Sequence, residues 1–120
     1  MKIAIPAAGN DVNANLDPRF GRARYFLVAD TETGAVEAHD NTQNLDAAQG
    51  AGIQAAQNVV NLGVAAVISG NVGPKAYRVL NAAGIKIYLC ERTTVADAVQ
   101  RFKAGELKEI DAANVAGHWM

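Results

Sequence analysis

The hydrophobic and polar positions change period along the chain. In "KIAIPA" (2–7), Ile3 and Ile5 share one side of a two-residue alternation and Pro6 ends it, which predicts a strand. The next stretch, "AGNDVNANLDPRFGRAR", fits neither period. At roughly 17 residues it exceeds most connections in compact domains, and such loops are usually functional or disordered. It is expected to be mobile without a ligand. "YFLVAD" reads as a second strand, "TETG" as a turn, and "AVEAHD" as a weakly alternating hairpin partner at an edge. Beyond "NTQNL" the period becomes helical. "DAAQGAGIQAAQNVVNLG" places Ile53, Ala56, Val59 and Val60 on one stripe. Asp46 and Gln49 resemble a capping box, and Gly63 suits the helix end.

"VAAVIS" is wholly apolar, as befits a central parallel strand covered on both faces. "GNVGPKAYRVLNAAG" predicts a second helix with Pro74 in its first turn and Gly84 at its end. "IKIYLC" is a further strand. "TTVADAVQRFKAGEL" is a third helix, capped by Thr93 or Thr94 and stopped at Gly105. The tail, "KEIDAANVAGHWM", shows no period and is expected to drape over the body. The order β-β-β-α-β-α-β-α contains two parallel crossovers and one hairpin. It predicts an α/β domain spanning 1–120. Its mixed five-stranded sheet has the order 3-2-1-4-5, with strand 2 antiparallel and helices on its faces.

Composition narrows the function. The chain has 120 residues, half of them apolar and 19% charged, with a formal net charge of −1. Such a chain has no global basic field to gather nucleic acid or acidic membrane, so any anion binding must be local. No apolar run approaches the ~18 residues of a membrane span, and the opening segment breaks too early for a signal peptide. With its single cysteine this favours a cytoplasmic location.

Ligands of open α/β sheets bind beyond the carboxyl ends of the parallel strands, where the winding reverses. In the expected order that point lies between strands 1 and 4. The arginine loop "LDPRFGRARYF", "SGNVGPK" and "CERTT" all emerge there, and "LDAAQGAGIQ" can reach the same edge. Arg19 and Arg22 flank Phe20-Gly21 in a chain with only 11 Lys plus Arg, while Arg24 belongs to the strand boundary. Guanidinium groups are fixed donors suited to anions, although exposed arginines on turns are common. Gly70, Gly73 and Lys75 surround a helix start, where backbone amides and the dipole favour anions, but the P-loop pattern is absent. "GAGIQA" fits G-x-G-x-x-A without directly following a strand, and that context argues against a dinucleotide fingerprint. His39 and His118 lie far apart in the sequence, and no metal constellation, nucleophilic triad or carboxylate pair is visible. No catalytic residue set emerges, so the protein is expected not to be an enzyme.

"DPRFGRARYFLVAD", "GAGIQAAQ", "VAAVISGNVGPKAYRVLNAAGIKIY" and "TTVADAVQRFKAGEL" together resemble the dinitrogenase iron–molybdenum cofactor biosynthesis family. That family includes NifX-like carriers and the C-terminal part of NifB. R-F-G-R and G-x-x-G-P-x-A carry most of the likeness, which covers nearly the whole chain. The short stand-alone form with "AAQGAGIQ" most resembles the family's orange protein branch, from sulfate-reducing bacteria. The resemblance implies a three-layer ribonuclease-H-like fold. It also implies non-catalytic binding of a molybdenum-containing sulfide cluster, molybdenum–copper in that branch and iron–molybdenum elsewhere.

Many relatives carry a His where this chain has Gln49, and a neutral amide is a poor metal ligand beside imidazole. A protein-ligated iron–sulfur cluster usually needs about four cysteines, and Cys90 stands alone here. A cluster bearing its own sulfides is instead expected to be held whole, with Arg19, Arg22 and Lys75 as charge partners. Gly21, Gly50, Gly52, Gly70 and Gly73 would admit it closely and Phe20 would form an apolar wall. Gln49, Ser69 and Asn71 complete the expected site, and Cys90 is the candidate metal ligand. A P-loop ATPase or a cofactor-acceptor protein is the partner the resemblance allows. The alternatives are a small-molecule or nucleotide-binding domain and a regulatory interaction module.

Overall fold

The computed structural model describes residues 1–41 and 51–110. Its centre is β1 (Lys2–Ala7), followed by a 3-10 turn at Phe20–Arg22, β2 (Tyr25–Asp30) and β3 (Val36–Asp40). Then come α1 (Ala51–Asn61), β4 (Ala66–Ser69), α2 (Pro74–Ala82), β5 (Lys86–Leu89), α3 (Val95–Lys103) and β6 (Lys108–Glu109). The sheet order is β3-β2-β1-β4-β5-β6. β1 pairs antiparallel with β2 and parallel with β4, β2 antiparallel with β3, and β4 parallel with β5.

Side-chain alternation divides the core into two layers, as the two-residue period of a strand requires. Ala4, Phe26, Val28, Val67 and Ile87 face α1 and α2. Ile3, Ile5, Leu27, Ala29, Ala66 and Ile68 face α3 and the long loop. The result is the three-layer, ribonuclease-H-like arrangement with the expected order and orientation of the first five strands.

Three details depart from the sequence reading. A sixth strand is present: after Gly105 turns the chain at φ +75°, Lys108 and Glu109 pair antiparallel with Leu89 and Tyr88. Two residues cannot display a period, so β6 reads as tail. Residues 111–120, including His118, lie outside the described residues, as does the Asp46–Gln49 capping box. In α1 the buried residues are Ala55, Ala56 and Val59, whereas Ile53 is 38% exposed. The first turn of α1 stands over the Phe20–Arg22 turn and the start of α2 rather than over the sheet.

The third departure is residues 8–24, which are held by backbone hydrogen bonds. Ala8 N–H donates to Asn15 O and Leu16 N–H to Thr93 O; Val95 and Ala96 donate to Ala14 O and Val12 O. Leu16 is buried among the α3-side residues. At the far end, buried Asn41 donates from Nδ2 to Ala23 O at 2.8 Å, and its N–H donates to Arg24 O at 2.9 Å. No described helix is long and apolar enough to cross a membrane.

Candidate functional site: a cationic cavity at the switch point

β1 lies between an antiparallel and a parallel neighbour, so the segments leaving β1 and β4 meet at the switch point. There Arg19 forms a parallel bridge with Asn71, and Phe20 N–H donates to Asn71 O at 3.3 Å. Gly70 makes this approach feasible, because a Cβ there would stand 2.9 Å from Pro18 Cα. Asp17 is turned inward and its Oδ1 accepts Arg19 N–H at 2.9 Å. The same oxygen lies 3.5 Å from Arg19 Nε, while the arginine side chain stays 69% exposed. Phe20 is buried and packs on Phe26 with ring centroids 5.1 Å apart.

These elements border an open cavity of about 490 Å³, a volume typical of small-ligand sites. Arg19, Phe20 and Gly21 form one wall, and Gly52 and Ile53 of α1 a second. Asn71, Gly73, Pro74, Lys75 and Ala76 form the third. Its lining is mainly apolar, from Phe20, Ile53 and Ala76 among others, and its charged members among the described residues are Arg19 and Lys75.

The start of α2 adds backbone donors. Tyr77 N–H is the first to reach a helical acceptor, Gly73 O at 2.9 Å. The amides of Lys75 and Ala76 precede it and have no i−4 carbonyl within the helix. Pro74 at the first position has no N–H. Gly73 occupies the N-cap and supplies no side-chain cap. α3 is finished differently: Thr94 Oγ1 accepts Asp97 N–H at 3.2 Å and the long loop takes the two preceding amides. Its first turn has no donor left over for a ligand.

The structure sorts the residues expected from the sequence. Arg19, Phe20, Gly21, Gly52, Asn71, Gly73 and Lys75 come together around the cavity. Ser69, Gly70, Arg22 and Cys90 do not line it. Ser69 is buried and its Oγ donates to Asn71 O at 3.4 Å, shaping the turn beneath the site. Arg22 is exposed on the neighbouring surface, its N–H bonded to Arg19 O. Cys90 is buried in the α3-side layer, on the other face of the sheet from the cavity. Burial pushes its thiol pKa up, against the attraction of Arg101. It is therefore a protonated core residue rather than a cavity ligand. Gln49 and Gly50 lie outside the described residues. Ile53, Pro74 and Ala76 were missed. Ile53 is marked as unusual by its exposure on a helix whose buried face is filled by smaller residues.

Among the described residues, no three or more His, Cys, Asp or Glu side chains are grouped to hold a metal ion. The family model for dinitrogenase iron-molybdenum cofactor proteins matches residues 1–105. The chain belongs to this family. The structure resembles the apo form of the orange protein from Desulfovibrio gigas, with a TM-score of 0.88. The two are 44% identical, over 91% of this chain and 92% of that one. A Thermotoga protein proposed to be NifB is 42% identical over 90% and 91% of the two chains, with a TM-score of 0.79. An uncharacterized protein of Methanocaldococcus jannaschii is 33% identical over 92% of each chain. Family membership and these likenesses give the chain a cofactor-associated role.

Proposed function

We propose that the protein binds, carries or stores a molybdenum-containing sulfide cluster as a whole anion, held without covalent bonds to the chain. The observation that carries this reading is the cavity lining: among the described residues its charged members are Arg19 and Lys75, and an uncapped helix start stands beside apolar walls. The residues fit such a cargo. A sulfide-coated cluster brings its own metal ligands and needs only charge neutralisation, amide donors and a surface for polarizable sulfur. A bare metal ion would need several protein ligands, and Cys90 faces the other layer. The resemblance to the orange protein favours molybdenum–copper sulfide over the iron–molybdenum type. Cargo enters and leaves intact, so the protein's part is recognition rather than catalysis, with a cofactor-acceptor protein as the recipient.

Anaerobic reconstitution with tetrathiomolybdate and copper tests the reading. The expected result is a coloured complex of fixed stoichiometry that survives gel filtration. Loss of all molybdenum on the column would overturn it.

A further inference from the structure

Among the described residues, nothing in the fold requires glycine at position 73. Its φ of −68° and ψ of 164° are open to every L-residue. A Cβ built there meets nothing within 4 Å among the described residues, whereas one on Gly70 would collide with Pro18. The backbones of Gly34, Gly63, Gly84 and Gly105 have positive φ, which is a separate reason for glycine. Gly73 also holds an N-cap, where Asn, Asp or Ser would accept an orphan amide and stabilise α2 slightly more than glycine does. That stabilisation is forgone, and the vacant side-chain position adjoins the cavity.

We infer that Gly73 is a specificity-determining residue of the cavity, kept bare so that a bulky anion reaches the first-turn amides of Lys75 and Ala76. A side chain here would do two things at once. Its oxygen would take the amides that the cargo needs, and its volume would occupy the space through which the cargo approaches. The free protein is thus less stable than its backbone permits, in exchange for access. This inference rests on the anion-carrier reading above and adds a residue-level rule for what the cavity admits.

Gly73→Asn and Gly73→Asp test it, since both are good N-caps and they differ in charge. Thermal unfolding of the ligand-free proteins should show both variants about 2–5 °C more stable than the native chain. Anaerobic titration with tetrathiomolybdate should show affinity lowered at least roughly tenfold in Gly73→Asn, and further in Gly73→Asp, as expected for lost charge-assisted bonds. A lower Tm in Gly73→Asn would show that the fold itself needs the glycine, and would overturn the inference. Native-like binding by Gly73→Asn would do so too, whether or not Gly73→Asp loses affinity, because space would then play no part. Absence of tetrathiomolybdate binding in the native chain would instead remove the carrier reading and this inference together.

Discussion

A Cβ on Gly70 would stand 2.9 Å from the Cα of Pro18, so the arginine loop lies directly on the end of β4. Backbone on both sides leaves little to give. Gly70→Ala should therefore cost about 1–3 kcal/mol, in the manner of an overpacked core. Urea unfolding should show a lower midpoint with an unchanged slope. Because Arg19 is carried on the displaced segment, anion retention should fall as well.

Arg19 and Lys75 line the cavity and Arg22 does not. Arg19→Ala and Lys75→Ala should each weaken tetrathiomolybdate binding by roughly 10- to 100-fold, the worth of one charge-assisted hydrogen bond. Arg22→Ala should lower it less and mainly at low salt, as for a charge acting at a distance. Isothermal titration at two ionic strengths separates these cases. Equal losses in all three variants would count against the cavity as the binding locus.

Ile53 is 38% exposed, so its apolar side chain is only partly withdrawn from water. Ile53→Ser should cost about 1–2 kcal/mol, less than at a fully buried isoleucine. It should also reduce affinity for tetrathiomolybdate and narrow the preference for it over molybdate. An apolar wall penalises the strongly hydrated oxyanion more than the polarizable sulfide. Competition between the two anions, read by visible absorbance, measures that preference.

Cys90 offers a pH test. Burial raises its thiol pKa above the ordinary value, so the folded state holds the proton more tightly than the unfolded state does. The linked stability is fully present below the ordinary thiol pKa, roughly 8.5, and is lost as pH rises through the folded value. Chemical denaturation at increasing alkaline pH should show this loss in the native chain and not in Cys90→Ala. The same variant should retain tetrathiomolybdate with native affinity, and the native thiol should react slowly with alkylating reagents until the protein unfolds.

Thr94 caps α3 by accepting Asp97 N–H at 3.2 Å. Thr94→Ala should cost about 1 kcal/mol, seen as a lower denaturation midpoint. Anion binding should be unaffected, since α3 packs on the opposite face.

Much of the fold was legible because its long elements repeat their signal. Ile3 and Ile5, then Phe26 and Val28, mark alternate faces, and two crossovers with one hairpin leave few strand orders. β6 was not legible, since Lys108 and Glu109 become a strand only through the edge that β5 offers them. The site divided along similar lines. Topology brought the arginine loop and "SGNVGPK" to one edge, yet Arg19 and Arg22 look equivalent in sequence. What separates them is Phe20, whose burial against Phe26 sets the orientation of the turn. Ile53 was misplaced for the complementary reason: a helical stripe shows which residues share a face, not whether that face meets core or cavity. Cys90 was drawn toward the site by its position after β5, while the layer it enters depends on strand parity at the sheet's end.

Phe20 is at once a wall of the cavity and a member of the packed layer beneath α1 and α2. The receptor wall it forms is therefore completed by the same collapse that folds the domain. A guest arriving at this wall finds it already shaped, and its binding energy is not spent on ordering the Phe20 turn.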